Sequence, residues 1–183
     1  MNRPRPWPSR EACLEALRDG DGRGIAVAVL DTGVDPRHPD FSDLHFSGAW
    51  DVRIDGGAPR VIPAEALDPV GHGTAIAGII HRMAPAAEIL SIRVLGGDQR
   101  QHRHELIRRG DPAHPVPLRT SGSAFRVPAP GGGHSTVSGS SFAAAHATGM
   151  LARMLSRFPG LSPSFAREAL LHLAEEPYDI VND

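Results

Sequence analysis

A chain of 183 residues is long enough to bury a core of its own and reads as a single domain, residues 1–183. Its formal net charge of −2 gives neither nucleic acid nor an anionic membrane surface an electrostatic reason to bind. Its 19 basic residues are all arginines, which excludes a lysine-bearing phosphate loop.

The opening residues, MNRPRPWPSR, hold no apolar core of signal-peptide length, and no later run has the length of a bilayer span. Cys13 is the single cysteine, so no internal disulfide can form. Both facts lead to the expectation of a cytoplasmic protein.

Ser9 is placed to cap a short helix reaching about Arg18, with Ala12, Leu14 and Leu17 on one face. Ile25 to Leu30 is a continuous aliphatic run and predicts a buried parallel strand. Asp31 then stands at its carboxyl end, where open parallel sheets hold their sites. An isolated Asp-Thr-Gly is more often a turn. Phe41 to Val70 carries several Gly, Pro and Asp residues and is expected to be loops with at most one short strand. The run after Gly73, with Ala75, Ile76, Ile79, Ile80 and Met83 at helical spacing, predicts a helix and puts His72 at its start. Ala87 to Leu95 reads as the next parallel strand. From Gly97 to Pro117 the chain is polar, with a short solvated helix expected over about His102–Arg109. His104-Glu105 opens a zinc-protease pattern, but Arg108 occupies its second histidine position and the pattern fails. Gly131, Gly132 and Gly133 read as a loop.

Gly139 to Gly149, GSSFAAAHATG, turns tightly and enters an apolar helix expected to reach about Phe158. Ser141 then lies at a helix N-terminus, where unpaired N–H groups and the helix dipole favour an anion. A serine hydroxyl there can attack a carbonyl and have the oxyanion held by its own amide, although a serine before a helix is ordinarily a cap. Ser162-Pro163 begins a last helix with Phe165, Ala169, Leu170 and Leu173 as its buried side.

Three segments, GIAVAVLDTGVD (Gly24–Asp35), GHGTAIAG (Gly71–Gly78) and GSSFAAAHATG, together resemble the signatures of the subtilisin-like serine peptidases, the subtilases of peptidase family S8. They fall in that family's chain order, Asp then His then Ser. The resemblance implies that Asp31, His72 and Ser141 form a catalytic triad, and it gives His146 a structural position rather than a catalytic one. It also implies an α/β fold of three layers, with a mostly parallel sheet and helices on both faces, truncated between the His and Ser motifs. The implied activity is serine endopeptidase, acting on a peptide or protein substrate with no cofactor.

The chain departs from the family in its middle. Only 69 positions separate His72 from Ser141, whereas typical relatives have more than twice as many, including substrate-binding strands and an oxyanion-hole asparagine. The two asparagines here, Asn2 and Asn182, lie at the termini. In subtilisin itself, loss of that donor lowers turnover roughly a hundred- to a thousand-fold. The calcium loop of many relatives is missing between Gly78 and Pro85, and Asp40 would match one ligand at most, so no metal is expected there. The start of the first strand at Ile25 leaves little room for an inhibitory propeptide, and no zymogen stage is expected. Substrate-binding residues are not legible.

Two readings stand: a compact endopeptidase, or a degenerate relative that binds a peptide or protein with little turnover. The shortened middle predicts an uncovered sheet edge. The chain is therefore expected to self-associate or to bind a second polypeptide beside Ser141 that completes the cleft. A polar side chain between Gly97 and Ser123, such as Gln99 or His102, is the rival oxyanion donor.

Overall fold

In the computed structural model, residues 8–95 and 124–175 are described. Ser9 accepts a hydrogen bond from the Ala12 N–H and starts helix α1 (Arg10–Asp19), which buries Cys13 and Ala16. The aliphatic run after Gly24 forms strand β1 (Ala26–Asp31), and Glu88–Arg93 forms β4, parallel to it with Ala26 opposite Glu88 and Asp31 opposite Arg93. Between them lies helix α2 (His72–Met83), unbroken along its length.

The stretch expected to be loops holds two strands instead. β2 (His45–Asp55) runs parallel to β4, and β3 (Ala58–Pro63) pairs antiparallel with β2 across a two-residue turn, Gly56-Gly57, both at positive φ. The sequence HFSGAWDVRID has no clean period-2 alternation. Its extended form comes from the ladder with β4, a tertiary preference that overrides local pattern. The readable signal was the glycine pair, a common two-residue hairpin turn.

The sheet order is β1-β4-β2-β3, so the fold is α/β with a mostly parallel sheet. Val29 and Ile89 of the sheet pack with Ala75, Ile79 and Ile80 of α2, and with Phe142 and Ala145 of helix α3 (Ser140–Arg157). Truncating Ile79, which is 2% exposed, to alanine would cost about 2–5 kcal/mol. The expectation that β1 is buried throughout fails. Val29 is its one buried residue, and Leu30, on the alternate face, is 56% exposed. Among the described residues β1 has a ladder with β4 alone.

After the undescribed stretch, which takes in the helix expected over 102–109 together with Gln99 and His102, strands β5 (Phe125–Ala129) and β6 (Gly133–Val137) form an antiparallel hairpin. Val127 of β5 is buried in the α2 core. The hairpin is clasped to the loop at residues 38–41. The His38 Nε2–H donates to the Gly133 carbonyl, and the His134 Nε2–H donates to Asp40 at 2.9 Å. Burial alone would push the Asp40 carboxyl up, but the bond and charge of His134, with His38 and Arg126 nearby, hold it below the usual carboxylate range.

Helix α4 (Pro163–Glu175) starts where Ser162 accepts from the Phe165 N–H. Its buried stripe is Ala166, Ala169 and Leu170, with Leu173 partly buried, packed on Cys13 and Met154. Phe165, expected inside, is 54% exposed. It lies one position off the i, i+3, i+4, i+7 row that faces α1 and α3.

Candidate active site

Asp31 ends β1 and His72 opens α2, and the two meet. The His72 Nδ1–H donates to Asp31 Oδ1 at 2.7 Å, with the Asp31 side chain 14% and the His72 side chain 31% exposed. The same Asp31 oxygen accepts from the Thr32 N–H at 2.8 Å. The His72–Asp31 bond fixes the imidazole tautomer, with Nδ1 protonated and Nε2 left as the basic nitrogen.

Glycine makes the approach possible. A Cβ on Gly73 would fall 2.0 Å from the Gly33 carbonyl oxygen and 3.1 Å from Asp31 Cβ, so only the bare backbone lets the first turn of α2 lie on the turn after β1. Arg93, opposite Asp31 in the ladder, is engaged elsewhere, with Asp51 at 2.9 Å and the Leu67 carbonyl at 3.4 Å.

Ser141 occupies the first turn of α3, exposed, behind an N-cap glycine, Gly139. It lines a groove of about 270 Å³ together with Asp31, Leu30, Ile76, Ala144 and Thr148. Its neighbour Phe142 stacks at a tilt on the His72 ring, with centroids 5.4 Å apart. The structure thus joins Asp31 to His72 by a hydrogen bond and brings Ser141 to the same groove as Asp31. His146 lies further along α3, its ring 5.7 Å from Phe125, and burial pushes its pKa below the usual imidazole range.

Two participants were missed in the sequence. Asp68, ahead of α2, accepts from the Val70, Gly71 and Thr74 N–H groups and from the Thr32 and Thr74 hydroxyls. Thr32, 1% exposed, accepts from the Gly73 N–H. The available signal was an aspartate just upstream of a helix start. Among the described residues no group of three or more His, Cys, Asp or Glu side chains is arranged to hold a metal.

The sequence profile of the Subtilase family matches residues 22–115 and 106–182. The chain belongs to the subtilase family. This subtilase is 38% identical over 98 residues to the "Major intracellular serine protease" of Bacillus subtilis (strain 168), covering 49% of this chain and 30% of that one. It is 39% identical over 108 residues to "Subtilisin BL" of Lederbergia lenta, covering 52% and 35%. It therefore spans about a third of the length of these curated relatives, which are serine proteases. Among solved structures, "S41 Psychrophilic Protease" superposes with a TM-score of 0.64 at 20% identity, over 83% of each chain. "Sphericase" superposes at 0.62 and 18%, over the same shares, and both likenesses establish the subtilisin-like fold. No helix among the described residues is long and apolar enough to cross a membrane.

Proposed function

We propose that this subtilase is a serine endopeptidase with Asp31, His72 and Ser141 as its triad. The observation that carries the reading is the 2.7 Å bond from His72 to Asp31, at the carboxyl end of a parallel strand, together with the groove that Asp31 and Ser141 both line. In the reaction His72 Nε2 takes the Ser141 hydroxyl proton as Oγ bonds to the peptide carbonyl carbon. The tetrahedral intermediate then expels the amine, which takes that proton with it. Water repeats the sequence on the acyl-enzyme and regenerates the serine. Asp31 holds the imidazole in the needed tautomer and stabilises its charged form. The N–H of Ser141, at the head of helix α3, supplies one oxyanion donor.

A second reading, a binding module with little or no turnover, is favoured by one fact. Asn2 and Asn182 are the chain's only asparagines, so the stretch between His72 and Ser141, where the family carries its side-chain oxyanion donor, has none. A fluorophosphonate probe separates the two, because it needs an activated serine and little substrate binding. The peptidase reading expects a covalent adduct on Ser141 that is absent from Ser141→Ala and much slower to form in His72→Ala. No adduct on the wild-type protein, or equal labelling of Ser141→Ala, refutes it. A cytoplasmic site of action belongs to the same reading, supported by two relatives named as intracellular proteases, and is checked by cell fractionation.

A further inference from the structure

Helix α2 starts without a cap of its own, since its N-cap is Gly71 at φ 90°. The N–H groups of its first turn are satisfied from outside: Gly73 by Thr32 Oγ1 at 3.1 Å, Thr74 by Asp68 Oδ2 at 2.8 Å. Asp68 Oδ2 also accepts the Thr74 hydroxyl at 2.7 Å. Its Oδ1 accepts the Val70 and Gly71 N–H groups at 3.1 and 2.8 Å. The Thr32 hydroxyl adds a third donor to Oδ1, and the negative charge of Asp68 at a helix N-terminus is favourable.

The Thr32 hydroxyl has one proton and two carboxylates in reach. Asp68 Oδ1 lies 2.8 Å away and Asp31 Oδ1 lies 3.2 Å away. Asp31 Oδ1 is also the oxygen that holds His72. A hydroxyl donor on that oxygen, added to the Thr32 and His72 N–H groups, would draw off the charge that supports the imidazolium. We propose that Asp68 is a positioning residue of this site. It takes the Thr32 proton so that Asp31 Oδ1 is left to His72, and it pins the first turn of α2 to the turn after β1. The proposal rests on the reading of Asp31 and His72 as the catalytic pair and adds the group that arranges them.

Of the charged groups around α2's first turn, Asp31 on β1 holds His72 directly, and Asp68 in the loop ahead of α2 holds the Gly71 and Thr74 N–H groups on either side of it. Arg93 on β4 is directed to Asp51, and α3 brings the uncharged Phe142 onto the His72 ring. The test is the NMR titration of the His72 imidazole in Asp68→Ala, Thr32→Val and the double variant. Thr32→Val alone leaves the midpoint near the wild-type value, because the lost proton was on Asp68. Asp68→Ala lowers it by about half a pH unit or more, as Thr32 turns to Asp31 and a nearby negative charge is lost. Adding Thr32→Val to Asp68→Ala returns part of that drop. Asp68→Asn, whose amide oxygen can still take the Thr32 proton, lies closer to wild type.

A drop in Asp68→Ala that Thr32→Val does not touch, or no drop at all, overturns the proposal. One measurement needs no variant. In the wild-type protein the Thr32 hydroxyl proton gives a stronger nuclear Overhauser effect to the Gly71 N–H, which shares Asp68 Oδ1, than to the His72 Nδ1 proton, which shares Asp31 Oδ1, and the reverse order overturns the assignment. None of these readouts requires turnover. A chain that passes them while Ser141 fails to react with fluorophosphonate loses the peptidase reading and keeps this one.

Discussion

Alanine at Gly73 sets a favourable local effect against a steric one, and the two differ in size. Glycine to alanine inside a helix ordinarily stabilises by about 1 kcal/mol. Here the new Cβ would sit 2.0 Å from the Gly33 carbonyl oxygen, where ordinary contact begins at 3.4 Å, and that oxygen is backbone and cannot swing aside. The first turn of α2 must back away by roughly 1 Å, and a misplacement of that size costs about a hundred-fold in chemistry. The 2.7 Å bond between His72 and Asp31 is the contact placed to break. Overpacking of this kind also costs about 1–3 kcal/mol, so stability is expected to fall despite the better helix former. The assay is the second-order rate of fluorophosphonate labelling at Ser141, with a thermal melt on the same sample. Gly133→Ala is the control, because nothing lies within 4 Å of its Cβ and its φ is not positive. A Gly73→Ala protein that labels at the wild-type rate would refute the claim that this close approach sets the geometry.

The labelling rate of the wild-type protein is expected to fall as pH drops through roughly 6 to 7, where an ordinary histidine gains its proton and ceases to be a base; full reactivity at pH 4 would assign the chemistry to another group. His146 makes its own contribution to acid sensitivity. Burial lowers its pKa from the usual 6.5, so below that pH the unfolded chain takes up a proton that the folded one resists. Stability attached to this residue is therefore whole above 6.5 and declines as pH falls below it. Thermal melts at pH 5 and pH 8 should show a smaller acid loss for His146→Phe, and an unchanged difference would remove His146 from the account. If a second polypeptide completes the site beside Ser141, specific activity falls on dilution and light scattering gives a mass above that of one chain; a monomer whose activity is constant with dilution completes its own site.

The site was more legible than the sheet around it because its signals are local. Gly24–Asp35 announces a strand and a terminal carboxylate, and Gly71–Gly78 announces a helix with a histidine at its head. Gly139–Gly149 does the same for Ser141. The Asp31–His72 contact follows from elements whose ends could be read one at a time. β2 was not legible, since His45–Asp55 is extended by its neighbour β4 and not by its own alternation. The exposure of Leu30 was hidden for the same reason: an aliphatic run looks alike in the middle of a sheet and at its border. Asp68 escaped notice because its partners come from the turn after β1 and from the start of α2, and that convergence exists only once the chain has folded.

The strand that delivers Asp31 is also the border strand among the described residues, held by one ladder where β4 is held by two. Opening β1 breaks a single row of backbone bonds, so its amides should exchange with solvent deuterium sooner than those of β4, through excursions smaller than global unfolding. Each excursion removes the carboxylate from the imidazole while the helices stay packed. Heating should therefore silence the chemistry below the temperature at which the helical signal is lost, and a sequence change that secures this border would extend the working range without touching a reacting atom.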